Sequence, residues 1–246
     1  MAVPVGVAVR TSLSVLGCFM VAVLVYTIAT DGLPFRTELL TRWMAALLID
    51  FYIHIAIIGA WVVYKESSWI IAIVWVILLI CFGSVTTCGY IVLQFLKLAP
   101  EESSKDPLYF VLARHQKRKG LSVVIARVIF GLVGCLMLGT LLYTIIVDGS
   151  PFRAELYTPW MVATLIDFYI NVVALSVWVA YKESSWISAL LWIIFIVCFG
   201  SITTCVYIVR QLFYLSPDQP ISLILFKNNH RGLTPNEPPL IVGVNE

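Results

Sequence analysis

The sequence predicts an all-α fold: a polytopic membrane helical bundle of six transmembrane helices, built as two inverted three-helix repeats. Three observations lead there. The chain of 246 residues is 61% hydrophobic and only 12% charged, about half the charged share of an ordinary soluble domain, so most of its surface cannot face water. Six apolar segments, roughly 11–30, 44–63, 69–97, 124–147, 161–180 and 186–214, each reach the ~20 residues that bridge a hydrocarbon core about 30 Å thick. Shifting the chain by 117 positions lays one half on the other without a gap.

In that alignment DGLPFRTELLTRW (31–43) meets DGSPFRAELYTPW (148–160), and LIDFYI recurs at 48–53 and 165–170. YKESSW recurs at 64–69 and 181–186, and CFGSVTTCGYIV (81–92) meets CFGSITTCVYIV (198–209). More than half of positions 31–100 equal their counterparts, yet none of 54–60 does. The chain is a duplication. Its organisation reads as a first three-span repeat at 1–98, a basic linker at 99–120, a second three-span repeat at 121–215 and a polar, Pro-rich tail at 216–246. Three crossings are odd in number and the linker is too polar to cross. The second copy is therefore expected upside down, the 3+3 construction of some secondary transporters, whose sites lie near the midplane.

Taken in order, the first apolar stretch runs to Thr30, too long for a cleaved signal, and reads as a retained span. Asp31-Gly32 and Asp148-Gly149 suit helix stops followed by turns. Trp43, Trp61, Tyr64 and Trp69, with Trp160, Trp178, Tyr181 and Trp186, sit where an aromatic belt would lie. Ser67 and Ser68 are candidate caps for the third span. Glu38, Glu66, Glu155 and Glu183 read as solvated turn residues. The 69–97 segment would be about 43 Å long as a straight helix, which leaves room for a tilt, a break or a projecting end.

The candidate intramembrane polar site comprises Asp50, Asp167, His54, Asn171, Arg10 and Arg127. A carboxylate inside hydrocarbon costs several kcal/mol unless it is paired, protonated or facing water, so Asp50 and Asp167 mark either a functional site or a structural clamp. His54 and Asn171 stand one turn further along, on the same helix face. Only one copy has the histidine, which argues against a symmetric proton relay. With antiparallel halves, Arg127 would lie toward the face of Asp50 and Arg10 toward that of Asp167. Cross-half pairing is one expectation, and snorkelling to the headgroups is the other. Ser84, Thr87, Ser201 and Thr204 form a polar cluster with Gly83 and Gly200. Such small residues allow close helix packing or mark a broken helix lining a cavity.

Nine of the basic residues fall on the linker face under this topology and six on the other. That bias predicts a cytoplasmic linker with both termini lumenal or extracellular, in an endomembrane or the plasma membrane. Arg114, Lys117, Arg118 and Lys119 read as contacts to anionic lipid headgroups. The partners are thus the bilayer and its acidic lipids, and a homo-oligomer is compatible with the sequence. A net charge of +2 gives no reason to expect nucleic acid. None of the familiar compact enzyme motifs is present. The six cysteines all lie in apolar runs without a CxxC pair, so they read as packing residues, and neither a metal nor a cofactor is expected.

With the DG-PFR, LIDFYI, YKESSW and CFGS-TTC-YIV blocks assembled, the chain resembles a plant family of six-span membrane proteins of about this length, known as a domain of unknown function. Each half is also similar to small bacterial three-span proteins. The resemblance covers all but the tail. It implies a plant source and a helical membrane fold and supplies no activity. The leading functional expectation is a small carrier or channel-like protein with a polar site between its halves. The alternative is a non-catalytic membrane scaffold or assembly factor.

Overall fold

The computed structural model describes residues 2–113 and 122–226. The basic run Arg114, Lys117, Arg118 and Lys119 and the tail beyond Phe226 lie outside the described residues. Helix α1 (Ala2–Asp31) begins nine residues before the expected start, and α2 (Arg42–Lys65) and α3 (Trp69–Leu96) follow. Two one-turn helices, α4 (Pro100–Lys105) and α5 (Pro107–Leu112), come next. The second half contains α6 (Val123–Asp148), α7 (Pro159–Lys182), α8 (Trp186–Phe199) and α9 (Ser201–Phe213), and a 3-10 turn at Ile221–Leu225.

The helix ends follow local chemistry. Thr41 and Thr158 cap α2 and α7, their hydroxyls accepting the amides of Met44 and Met161, so an orphan donor is satisfied at each start. Gly32 and Gly149 stop α1 and α6 with φ of +74° and +73°, as the Asp-Gly pairs predict. Ser68 occupies the N-cap of α3 but makes no capping bond through its side chain.

The third apolar segment of each half is not one straight helix. Within α3, Gly83 has φ 49° and ψ −123°, outside the range open to other residues, and the chain doubles back. The Thr86 hydroxyl donates to the Leu78 carbonyl at 2.9 Å, eight residues earlier. The rings of Trp75 and Tyr90 stack edge-on with centroids 5.0 Å apart, whereas fifteen residues of straight helix would separate them by about 22 Å. In the second half Gly200 (φ 55°, ψ −130°) divides α8 from α9. Thr203 there bonds the Phe195 carbonyl at 3.0 Å, and Trp192 meets Tyr207 at 5.1 Å. Each half is therefore two straight helices and one helical hairpin.

That reversal removes the premise of the inverted arrangement, and contacts between the halves correct it. The Trp160 indole donates to the Gly32 carbonyl at 3.1 Å, and Arg42 pairs with Asp148 at 3.7 Å. Both helix-to-helix loops thus share one end of the bundle. At the other end Gly6 approaches Pro107, Lys65 donates to the Phe110 carbonyl at 2.8 Å, and the rings of Tyr109 and Phe226 meet at 5.0 Å. The start of α1, the linker helices and the last described residues gather there. By these contacts the two copies run parallel. The first is called here the loop end and the second the linker end.

Five helices are long and apolar enough to cross a membrane by length and composition: α1, α2, α3, α6 and α7. α3 reaches that length only by counting both arms of its hairpin. The bundle turns apolar residues outward, such as Ile70, Leu132, Ile146 and Ile187, each at least 66% exposed. A membrane-embedded protein is expected to do this, and a soluble one rarely does. In the core, α2 and α7 pack against each other and each touches the first helix and the hairpin of the opposite half. Gly17 and Gly134 let α1 and α6 ride close over Cys88 and Cys205 of the returning arms.

The duplication extends further than the hydropathy suggests. Pro107 opens α5 and Pro220 precedes the 3-10 turn at Ile221–Leu225, a separation of 113 rather than 117, so the second copy has lost four residues before this point. The buried Lys182 donates to the Leu223 carbonyl at 3.3 Å and also to that of Phe226. Lys65 serves Phe110 and Ala113 in the same way. The start of the expected polar tail is thus a docked element, with Leu223, Ile224 and Phe226 buried.

Candidate functional site

Two polar knots lie where the hairpin tips cross between the halves. The Asp50 carboxylate accepts the Ser201 amide at 2.7 Å, and the Asp167 carboxylate accepts the Ser84 amide at 2.7 Å. Ser84 and Ser201 are the first residues of the returning arms, so each aspartate caps a helix N-terminus belonging to the other half. The first-turn N–H groups and the positive end of the helix dipole favour a carboxylate there. This is how a carboxylate in an apolar helix is accommodated.

Glycine is required at both tips. A Cβ on Gly83 would stand 2.3 Å from an Asp167 carboxylate oxygen and 2.7 Å from Phe51, and one on Gly200 would stand 2.2 Å from Asp50. One turn deeper, His54 Nε2 lies 3.0 Å from the Thr204 hydroxyl, and the Thr87 hydroxyl donates to Asn171 Oδ1 at 2.8 Å. Thr87 and Thr204 also contact the tip carbonyls of Gly83 and Gly200 at 3.3 and 3.2 Å. His54 Nδ1 is buried without a protein partner among the described residues. Eight of the expected residues, Asp50, His54, Ser84, Thr87, Asp167, Asn171, Ser201 and Thr204, are thus brought together as two related knots.

The two arginines are not. Arg127 donates to the carbonyls of Leu212 and Leu215 at 2.9 and 2.8 Å and lies over the Phe213 ring at 4.8 Å. It closes the C-terminal end of α9 within its own half. Among the described residues no ion pair joins Arg10 or Arg127 to either aspartate. The expected pairing came from antiparallel halves. In parallel copies both arginines lie near the linker end and both aspartates toward the other.

The glutamates of the YKESSW blocks also depart from expectation. Glu66 accepts from the Tyr90 hydroxyl at 2.9 Å and from Gln94 at 3.4 Å. Glu183 accepts from Tyr207 at 2.9 Å, Gln211 at 3.2 Å and Ser188 at 2.7 Å, and pairs with Arg210 at 3.5 Å. Each ties the base of its hairpin to the returning arm. The repeated Tyr-x3-Gln spacing at 90–94 and 207–211 was the available sequence signal.

A cavity of about 1130 Å³ lies between the halves, extending from beside the knots toward the linker end. Its wall runs along α2 from Leu48 to Tyr64, with Phe130 of α6, Trp178 of α7 and Val111 of α5 facing in. The wall is almost wholly hydrocarbon, and neither Asp50 nor Asp167 belongs to it. Thr87, which does line it, already donates its hydroxyl to Asn171. No group of three or more His, Cys, Asp or Glu side chains that could hold a metal occurs among the described residues.

One family, described as a protein of unknown function (DUF1475), matches the chain twice, over residues 3–118 and 103–232. The chain belongs to this DUF1475 family. The two matches end 114 residues apart, in keeping with a repeat that includes the Pro-led turns. Comparison with curated proteins and with solved structures returns no match.

Proposed function

We propose that this DUF1475 protein is a carrier-class integral membrane protein that holds the hydrocarbon part of a ligand in the cavity between its two halves. The cavity carries the reading: about 1130 Å³ exceeds the usual range of small-molecule sites. Both halves contribute to its wall. The carboxylates of Asp50 and Asp167 each receive a hairpin amide, which favours a clamp that keeps the halves in register over a site for polar cargo.

The revised topology supports an orientation. Among the described residues Arg10, Lys65, Lys97, Lys105, Arg127, Lys182 and Arg210 lie toward the linker end, and Arg36, Arg42 and Arg153 lie at the loop end. The run at 114–119 joins Ala113 to Ser122, both at the linker end. Positive charge concentrates on cytoplasmic faces, so we assign the linker end, with the start of α1 and the last described residues, to the cytoplasm.

The test is to re-express wild type and Ala174→Trp, which fills the cavity wall, in a strain or line lacking the gene and to profile its lipids and metabolites. Wild type is expected to restore the profile. Ala174→Trp, inserted and folded, is expected not to. Full restoration by the filled variant would remove the carrier reading and leave the scaffold.

A further inference from the structure

We infer that the occupant of the central cavity is a bilayer phospholipid, whose acyl chains enter sideways from the membrane; this rests on the reading of the cavity as a ligand site. Three observations support it. The first is shape. The wall follows α2 from Leu48 to Tyr64, about 24 Å along the helix axis. The volume of about 1130 Å³ spread over about 24 Å leaves a mean cross-section of about 47 Å². That is about 7 Å across, room for one or two extended hydrocarbon chains in contact at about 4 Å.

The second is chemistry. A charged or strongly polar ligand buried against such a wall would leave its own groups unpaired, at several kcal/mol each. A hydrocarbon chain gains contacts along its whole length and loses none. The third is continuity with the surface. Tyr52, Trp69 and Ile129 line the cavity and are also 43%, 57% and 44% exposed, so the space opens on the side of the bundle that meets hydrocarbon. At the linker end Tyr64 and Ser222 also line the cavity, near the level at which a headgroup meets water, while the buried Tyr181 donates its hydroxyl to Asp106 at 3.2 Å.

Purified wild type is exchanged into detergent and its bound molecules are identified by native mass spectrometry with extraction. About one phospholipid per chain is expected to survive the exchange. Ala174→Trp, in the wall, and Ile129→Trp, at the lateral opening where folding is not at stake, are each expected to lower it about tenfold. Their helical content and elution should stay as in wild type. Phospholipid retained equally by both variants would overturn the inference. A hydrocarbon-bearing molecule without a phosphate headgroup, retained by wild type and lost from the variants, would also overturn it while leaving the carrier reading in place. No retained molecule at all would overturn it too, and the carrier reading would then be decided by whether Ala174→Trp restores the profile in cells lacking the gene.

Discussion

Asp50 in the second helix of one half accepts the backbone amide of Ser201 in the other at 2.7 Å. Asp167 repeats this bond with Ser84. The first-turn donor of each returning arm is satisfied in trans by the other half. These bonds couple the stability of the two copies.

Replacing Asp50 or Asp167 with alanine leaves a buried amide without an acceptor, a loss of about 1–3 kcal/mol. Asparagine keeps an acceptor oxygen and should lose less. Thermal unfolding in detergent would rank wild type above Asp50→Asn and both above Asp50→Ala, with the same order at Asp167. Equal loss in both variants would point to the charge itself.

Gly83→Ala and Gly200→Ala should do far more damage. Each combines a positive φ with a Cβ within about 2.3 Å of a carboxylate oxygen, so strain of about 1–3 kcal/mol adds to a steric clash. Folded protein recovered after solubilisation should fall to a small fraction of wild type. Pairing Gly200→Ala with Asp50→Ala should recover only the part due to the clash, which the double-mutant cycle measures.

Topology is directly measurable. Single cysteines at Leu33 and Ser150, in a background where native cysteines are replaced, should react with an impermeant maleimide from one side of the membrane. Tags ahead of residue 2 and after residue 246 should be reached from the opposite side. A Leu33 cysteine reactive from the same side as the N-terminal tag would break the parallel arrangement.

Lys182 is 2% exposed, and its ammonium docks the turn at Ile221–Leu225. Lys182→Met keeps most of the side-chain volume and removes the donors. Loss of hydrogen bonds from a charged group, at about 1.5–3 kcal/mol, should loosen this turn first. Limited proteolysis should then cut near 216–226 sooner than in wild type while the hairpins stay protected.

His54 is the odd member of its pair, and the Asn171–Thr87 bond shows what an amide does at the matching position. His54→Asn should therefore cost less than His54→Leu, which leaves Thr204 without its cross-half partner, by about 1 kcal/mol. Unfolding midpoints of the two variants check the order.

By itself the sequence determined that the chain is helical, membrane-embedded and duplicated, because apolar length and self-similarity are properties of residue order. It also pointed to Asp50, Asp167, Gly83 and Gly200 as related positions, since a carboxylate or a break inside an apolar run is visible without coordinates. Only the tertiary structure decided how the halves are related. A straight crossing of 28 residues and a hairpin of two short arms have the same hydropathy, and the difference lies in the positive φ of Gly83 and Gly200. Each hairpin turns one expected crossing into a return to the same end. That sets the copies parallel, moves Arg127 away from Asp50 and brings the start of α1, the linker helices and the last described residues to one face.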